Sequence, residues 1–397
     1  MSGLVSLSAP APRAGLLQAF RPTPKTVELD GWLLVAAGGL AALGMVMVTS
    51  SSMAIAVGLE VSPFHYAIRH LIALTLGILL ATWLYFMPLA RLERASIWLI
   101  WAAMLLLILP WVPMLGVRIN GALRWIRLGI TNFQVVEATK LLLLIYLAGY
   151  CVRHKTQLAE TWKGILKPLG MVSLVVLLLL VQPDFGSAVL LLTVSITLLW
   201  LAGARASFLL LIAVLGVVAM SGILVLEPYR LQRVGGFLDP WADPYNTGFQ
   251  LTQALIAVGR GEWFGVGLGD SVQKLFYLPE AHSDFIVAVI AEELGFFGLA
   301  SVIALFALFA GRAFALGSRA LDLGLPFAGY LAHGIALWFS FQALVSIGVN
   351  LGVLPTKGLT LPLISSGGSS IMMSVAAVGL LMNVSAVVLA RAAEPKV

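Results

Sequence analysis

The chain has 397 residues, of which 60% are hydrophobic and only 11% charged, with a mean hydropathy of +1.00. A soluble domain carries about 25% charged residues, so this composition excludes a soluble globule and points to a protein whose outer face is solvated by lipid. The net charge of +6 comes from cations in short loops between apolar runs, which favours membrane orientation over nucleic acid as its meaning.

The N-terminal thirty residues hold Arg13, Arg21 and Lys25 among prolines Pro10, Pro12, Pro22 and Pro24. They lack the continuous apolar core and small-residue cleavage site of a secretion signal, so residues 1–30 read as a disordered cytoplasmic tail. A helix needs roughly 20 apolar residues to cross the hydrocarbon core. Ten runs approach that: Gly31–Ala56, Ile68–Met87, Ala95–Met114, Val136–Cys151, Pro168–Val181, Ser187–Ala202, Ala206–Leu226, Asp284–Ala310, Leu325–Gly352 and Ser369–Leu389. The expected fold is an all-α polytopic membrane protein. It has one ten-helix domain over residues 31–391, a cytoplasmic tail at 392–397, and one long loop between the seventh and eighth spans. Cys151 is the only cysteine, which excludes an intramolecular disulfide.

Ten spans put both termini on one side. That side holds Arg13, Arg21, Lys25, Arg91, Arg94, Arg153, Lys155, Lys163, Lys167, Arg205, Arg312, Arg319, Arg391 and Lys396. The other holds Arg69, Arg118, Arg124, Arg127, Lys140, Arg230, Arg233, Arg260, Lys274 and Lys357, four of them in the long loop, which the orientation rule discounts. The termini are therefore expected in the cytoplasm and the loop outside. Arg118, Arg124, Arg127, Lys140 and Lys357 break the rule, and an anionic ligand at the outer face is one reason. Pairing with Glu137, Asp184 or lipid phosphates is the plainer one.

The loop from Glu227 to Asp284 is 58 residues long and rich in Gly, Trp, Tyr, Gln and Pro. Loops of that length are functional or disordered, and the mix of aromatic and apolar residues at Trp241–Gly269 argues for order. Gln250, Gln253 and Ala257 recur at three and four, predicting a short helix along the membrane surface. After it, Glu280, His282, Ser283 and Asp284 converge where loop meets membrane. An aspartate there caps a helix by default. In company it can serve as a base, because burial raises a carboxylate's affinity for protons. Glu292 and Glu293 follow about 12 Å further along, and intramembrane carboxylates suggest a proton or ion path as the rival reading. Asp184, in the Gln182–Gly186 turn, can cap the sixth span or pair with a base such as Lys140. Lys357 and the amides around Gly367 and Gly368, before Ser369, offer a phosphate nest. His333 and Asn350 read as interhelical hydrogen-bonding groups.

At these residues the chain resembles the SEDS proteins (shape, elongation, division and sporulation), and among them the FtsW branch, over roughly residues 30–390. Three stretches carry the resemblance: DPWADPYNTGFQLTQALIAVGRGEWFGVGLGDSVQKLFYLPEAHSDFIVAVIAEELGFFG from Asp239, QPDFGSA at Gln182–Ala188, and GVNLGVLPTKGLTLPLISSGGSS at Gly348–Ser370. The resemblance implies ten transmembrane helices and a peptidoglycan glycosyltransferase that polymerises lipid II at the outer, periplasmic face of the bacterial inner membrane, at the division septum. It implies Asp284 as the essential aspartate and proposed base. Arg124, Lys140 and Lys357, with Arg69 or Arg233, would neutralise pyrophosphate, and Glu137, Asp184, Glu280, His282 and Ser369 would line the substrate site. The implied partners are a class B penicillin-binding protein of the FtsI type and regulatory proteins of the FtsQ, FtsL, FtsB and FtsN types, with no nucleic acid. The sequence specifies no cofactor. A divalent cation such as Mg2+ or Mn2+ could share the charge, although no carboxylate cage is evident.

The chain departs from the family pattern at Val135 and Val136, where Pro and Ser are usual, at Ser366 for Tyr, at Ser283 for Thr, and at Glu262 for Gly. A lipid II flippase and a non-catalytic division scaffold are the alternatives of other classes. A flippase needs polar groups at mid-membrane, whereas these cations gather on one side.

Overall fold

The computed structural model describes residues 29–119, 121–129, 131–225, 235–355 and 358–394. Glu227, Arg230, Arg233 and Lys357, and all of the N-terminal tail except Leu29 and Asp30, lie outside them.

The chain folds as α1 (Gly31–Gly58), α2 (His65–Phe86), α3 (Leu89–Ile108), three short strands, α4 (Val135–Arg153), the short α5 (Lys155–Glu160), α6 (Trp162–Val181), α7 (Phe185–Leu201), α8 (Ala206–Val225), α9 (Phe249–Gly261), α10 (Ile286–Asp322), α11 (Pro326–Asn350) and α12 (Gly368–Ala392). Among the described residues eight helices are long and apolar enough to cross a membrane, and α7 and α8 supply two shorter apolar helices at the remaining expected runs. α4 and α12 are buried along almost their whole length and form the centre. α2 turns Ile68, Leu71, Ile72, Leu76, Leu79 and Trp83 outward, as lipid contact requires. Small residues set the closest crossings. A Cβ at Gly379 would lie 2.5 Å from the Ala81 backbone, and one at Gly77 would lie 3.1 Å from Met372 Cα, so α2 and α12 approach backbone to backbone.

The all-α expectation needs one correction. Between α3 and α4 stand β1 (Gly116–Ile119), β2 (Ala122–Leu128) and β3 (Thr131–Gln134), an antiparallel sheet in the order β1-β2-β3. Two-residue connections join them, with Ile119 opposite Ala122 and Leu128 opposite Thr131. Gly121 and Gly129 hold φ of 78° and 72°, the positive values such hairpins demand. The sequence Asn120-Gly121 is a hairpin signal that a search for 20-residue runs passes over.

Several span boundaries also move, and two of the shifts have structural consequences. α6 begins at Trp162, six residues before the expected Pro168, with the Thr161 side chain capping it through Gly164 N. Pro168 cannot donate to the Gly164 carbonyl. The Tyr150 hydroxyl donates to it instead, at 2.8 Å, so the helix runs through its proline with no orphan acceptor. α10 runs on to Asp322 but is interrupted at Gly295, where φ is 66° and ψ −163°. A break at membrane depth frees backbone groups, each costing several kcal/mol if left bare in hydrocarbon. The segment after α9 supplies the partners. Val266 N and Gly267 N donate to the Glu292 and Glu293 carbonyls at 2.9 and 3.1 Å, and Phe296 N and Phe297 N donate to those of Glu262 and Trp263 at 2.8 and 3.2 Å.

The loop thus contains the expected short helix, α9, and the segment that follows it is stitched to α10. Side chains add to the seam. Arg260 pairs with Glu292 at 3.0 Å, and Lys274 pairs with Glu293 at 2.6 Å while donating to Ser50 of α1 at 2.9 Å. Glu292 and Glu293 are neutralised by loop cations here, which accounts for them without an ion path.

Glu262 ends α9 with φ 45° and ψ −132°, a conformation that suits glycine. Glu262→Gly is expected to stabilise the protein by about 1 kcal/mol, read as a raised melting temperature. Gly295→Ala is expected to cost about 4 kcal/mol or more, because its Cβ would lie 2.3 Å from Gly265 N.

Candidate functional site

Several of the residues singled out by sequence, Asp284, His282, Ser283 and Ser369 among them, meet at or beside one irregular segment, Gly358–Gly367, between α11 and α12. This segment enters the bundle rather than crossing over it. Leu361, Pro362, Leu363, Ile364 and Ser365 are all buried. A Cβ at Gly44, near the middle of α1, would lie 2.7 Å from Ile364 Cα, so a glycine is what lets the turn in. Irregular backbone at this depth is tolerated because protein surrounds it.

Asp284 stands against this segment, half-buried. A Cβ at Gly358 would lie 2.9 Å from Asp284 Oδ2, so the carboxylate occupies the space a side chain there would take. Its backbone is held on both sides. Ser365 Oγ donates to the Ser283 carbonyl at 2.7 Å, and Ser366 N donates to that of His282 at 2.9 Å. Asn350, at the end of α11, donates through Nδ2 to the Asp284 carbonyl at 3.0 Å and accepts from Ala288 N through Oδ1 at 3.0 Å. α10 is thereby capped from another helix. Its N-cap residue, Phe285, has no side-chain cap. Asn350 is the interhelical group the sequence suggested, and it also fixes where Asp284 sits.

Lys140 is fully buried, and its Nζ donates to Glu137 Oε1 at 2.8 Å and to Gln342 Oε1 at 3.0 Å. It also lies 5.5 Å from the Trp338 ring centroid. Gln342 accepts from Trp338 Nε1 at 2.6 Å and donates to the Thr360 carbonyl at 2.7 Å. A charged pair thus ends, through an amide, on the backbone two residues from Gly358. Lys140 is a committed partner in this network and not an open cation. Gln342 was missed by sequence reading, although an amide within an apolar helix is the available signal.

Arg124 reaches from β2 to Asp184 at 3.6 Å, while Asp184 caps α7 through Ser187 N at 3.2 Å. The capping expectation therefore holds, and the base that pairs with Asp184 is Arg124, not Lys140. Leu359 packs over Gly186 of the same turn, 3.4 Å from where its Cβ would be. Ser369 accepts from Gln134 N at 2.8 Å and ties α12 to the β3–α4 junction. Gly367 is extended at φ −164°, so the amides before Ser369 form a helix N-terminus rather than an alternating nest.

Glu280, exposed with φ 57°, accepts from Ser283 Oγ at 2.6 Å. The His282 ring lies 5.0 Å from that of Tyr66 on α2. Arg69, one turn beyond Tyr66, is exposed. Sequence placed Arg233 and Lys357 here too, and both lie outside the described residues. Arg118 is exposed on β1 and Arg127 on β2. Among the described residues no group of three His, Cys, Asp or Glu side chains can hold a metal ion, so the chain offers a cation no dedicated centre of its own there.

Comparisons with known proteins show the family to which the chain belongs. Residues 31–388 match the FtsW/RodA/SpoVE family, described as "Cell cycle protein". A "Probable peptidoglycan glycosyltransferase FtsW" of Xanthomonas oryzae pv. oryzae is 53% identical over 356 residues, covering 90% of this chain and 72% of that protein. Another of the same name, from Allochromatium vinosum, is 47% identical over 371 residues, covering 92% and 93%. Among solved structures, a chain of "Structural coordination of polymerization and crosslinking by a peptidoglycan synthase complex" superposes with a TM-score of 0.74 at 31% identity, covering 93% of this chain and all of that one. The Thermus thermophilus "Rod shape determining protein RodA" gives 0.66 at 30% identity, covering 90% and 97%. The chain belongs to the FtsW/RodA/SpoVE family of polytopic membrane proteins.

Two outcomes follow from the site's electrostatics. Removing one member of a buried pair strands the other charge, so Lys140→Met is expected to cost about 3–5 kcal/mol. The double variant Glu137→Leu with Lys140→Met should cost less than that single change, as denaturation of the three proteins would show. Burial holds the His282 imidazole below its ordinary value of 6.5, against an upward pull from Glu280. The unfolded chain therefore binds the proton more readily, and stability falls as pH drops through 6.5 towards the folded value. His282→Gln should flatten that part of the melting-temperature profile.

Proposed function

We propose that this chain is a peptidoglycan glycosyltransferase that polymerises lipid II into β-1,4-linked glycan at the periplasmic face of the inner membrane, with Asp284 as its base. The observation that carries the activity is the family match over residues 31–388, together with relatives of that name near 50% identity. The placement of Asp284 supports its role. Of the residues singled out, it is the half-buried carboxylate held by backbone bonds on either side and set against a glycine.

The 4-hydroxyl of the acceptor GlcNAc attacks the anomeric carbon of the donor MurNAc. Asp284 takes the hydroxyl proton as the new C–O bond forms. The bond from that carbon to the pyrophosphate breaks, and undecaprenyl pyrophosphate leaves with the electron pair. The α-linked donor becomes a β-linked product by one inversion. Arg124 and Arg69, with Lys357 and Arg233, stabilise charge on the leaving group. The Glu137–Lys140–Gln342 network acts at one remove by holding Thr360, and so the approach of Gly358 to Asp284. A divalent cation, if used, would be carried by the substrate's own pyrophosphate.

In this reading ten helices cross the membrane, α7 and α8 included, with both termini cytoplasmic and the loop end in the periplasm. The excess of Lys and Arg on the terminal side supports that orientation. The partner is a class B penicillin-binding protein of the FtsI type at the division septum, joined by FtsQ-, FtsL-, FtsB- and FtsN-type regulators. The solved complex that superposes on this chain is described as coordinating polymerization with crosslinking, which supports such a transpeptidase.

Asp284→Asn in the purified complex is expected to lower glycan polymerisation at least about 100-fold, in line with loss of a general base, while melting temperature and lipid II binding stay near wild type. Polymerisation at the wild-type rate would remove Asp284 from the mechanism. Translocation of lipid II without chain formation, measured on the same protein, would favour a flippase.

A further inference from the structure

At the end of α10 far from Asp284, the helices α1, α10 and α12 leave a recess of about 600 Å³ between them. Its origin is a mismatch in length. The start of α1 lies beside Arg312, whose guanidinium pairs with the N-cap residue Asp30 at 2.6 Å. α10 runs on from Arg312 to Asp322, about 15 Å of further helix. α12 runs on from Ser385, which also lines the recess, to Ala392, about 10 Å more. Both helices outrun the start of α1, and the space between them stays open.

The lining has two chemistries. Leu316, Val388 and Leu389 make an apolar wall, and Arg312 and Arg319 bring charge. Asp30 balances only one of the two cations. Its Oδ1 accepts from Leu33 N at 3.1 Å and caps α1, while its Oδ2 accepts from Nε and Nη2 of Arg312 at 3.2 and 2.6 Å. A guanidinium has five N–H donors, so Arg312 keeps others to offer, and its side chain is 43% exposed. Arg319 stands two turns further along the same face of α10. It is exposed, and among the described residues it forms no ion pair. Trp32, in the first turn of α1, also lines the recess and is 63% exposed. An exposed tryptophan at the end of a spanning helix marks the level of the lipid headgroups. The recess therefore lies where a phosphate and the first carbons of its acyl chains meet the protein.

We infer that this recess binds one anionic phospholipid, its phosphodiester between Arg312 and Arg319 and its acyl chains along Leu316, Val388 and Leu389. Charge selects the occupant. The recess holds one cation more than Asp30 balances, which a phosphodiester neutralises, whereas a zwitterionic headgroup brings a second cation beside Arg319. The chain's own N-terminal tail is disfavoured on the same ground, since it carries Arg13, Arg21 and Lys25 against Glu28. The bound lipid ties the start of α1 to the ends of α10 and α12. None of this depends on the glycosyltransferase reading.

The test titrates the full-length protein, in a neutral detergent, with dioleoyl phosphatidylglycerol, dioleoyl phosphatidylcholine or glycerol phosphate, and follows the melting temperature. Phosphatidylglycerol is expected to raise it saturably, and the other two to leave it near its starting value. Arg319→Gln is expected to move the phosphatidylglycerol midpoint about fivefold higher, the share of one cation near a lipid phosphate. Arg319→Lys, which keeps the charge, should stay within a factor of about two of wild type. Arg391→Gln removes a cation from the same end of the bundle, but one outside the recess and paired with Glu394, and should leave the midpoint unchanged. An unchanged midpoint in Arg319→Gln overturns the inference. An equal shift in Arg391→Gln overturns it too, because the attraction would then belong to the surface as a whole. Equal stabilisation by phosphatidylcholine, or by glycerol phosphate alone, has the same consequence.

Discussion

Four backbone hydrogen bonds close the gap that Gly295 opens in α10, and much of the site end depends on them. Hydrocarbon offers no partner to a bare amide or carbonyl, so a helix broken at that depth must be completed by another part of the same chain. The segment after α9 does this with Glu262, Trp263, Val266 and Gly267. Once these residues are committed, Arg260 and Lys274 meet Glu292 and Glu293, and the loop becomes part of the bundle. Phe276 then closes over Gly58 at the end of α1.

The same constraint shapes the second irregular segment. Gly358–Gly367 enters the bundle at the level of Gly44, and the groups that satisfy it also define the site. Ser365 serves Ser283 and Leu361, Gln342 serves Thr360, and Thr360 shares a hydrogen bond with Ser370. Asp284 sits where these two systems meet. Its backbone belongs to the start of α10, fixed by Asn350, and its carboxylate faces the segment that the Lys140 network supports. Polar pairing holds this point, since Lys140 and Glu137 would be costly to bury for any purpose that left them unpaired.

The residues legible in advance were those with a one-dimensional signature. The apolar runs marked the helices because lipid imposes a minimum length and a composition on each span. The carboxylate at the end of the loop and the departures at Glu262 and Ser366 could be read from motif alone, and Glu262 proved to sit in a backbone conformation that favours glycine. Asp184 was legible as a cap, because capping is local and needs only the next three residues. The three-stranded sheet was not seen, because its strands are four to seven residues long and leave no mark on a window sized for a membrane span.

Sequence by itself determined that this chain lives in lipid, which helices it forms, and to which family of reaction its motifs belong, since hydropathy and local motifs require no knowledge of neighbours. Tertiary structure decided which of the possible partners each polar group takes. Glu137 and Asp184 were already on offer in the sequence as acceptors, and the fold chose which cation each takes: Lys140 goes to Glu137, one turn back, and to Gln342 across 202 positions of chain, Arg124 goes to Asp184, and the start of α10 goes to Asn350. It also turned an apparent surface loop into the missing half of a broken helix. Those pairings depend on which helix faces which, and in a bundle packed through small residues, that is settled by close approach at glycines such as Gly44, Gly77 and Gly379, whose meaning appears only when the opposing backbone is in place.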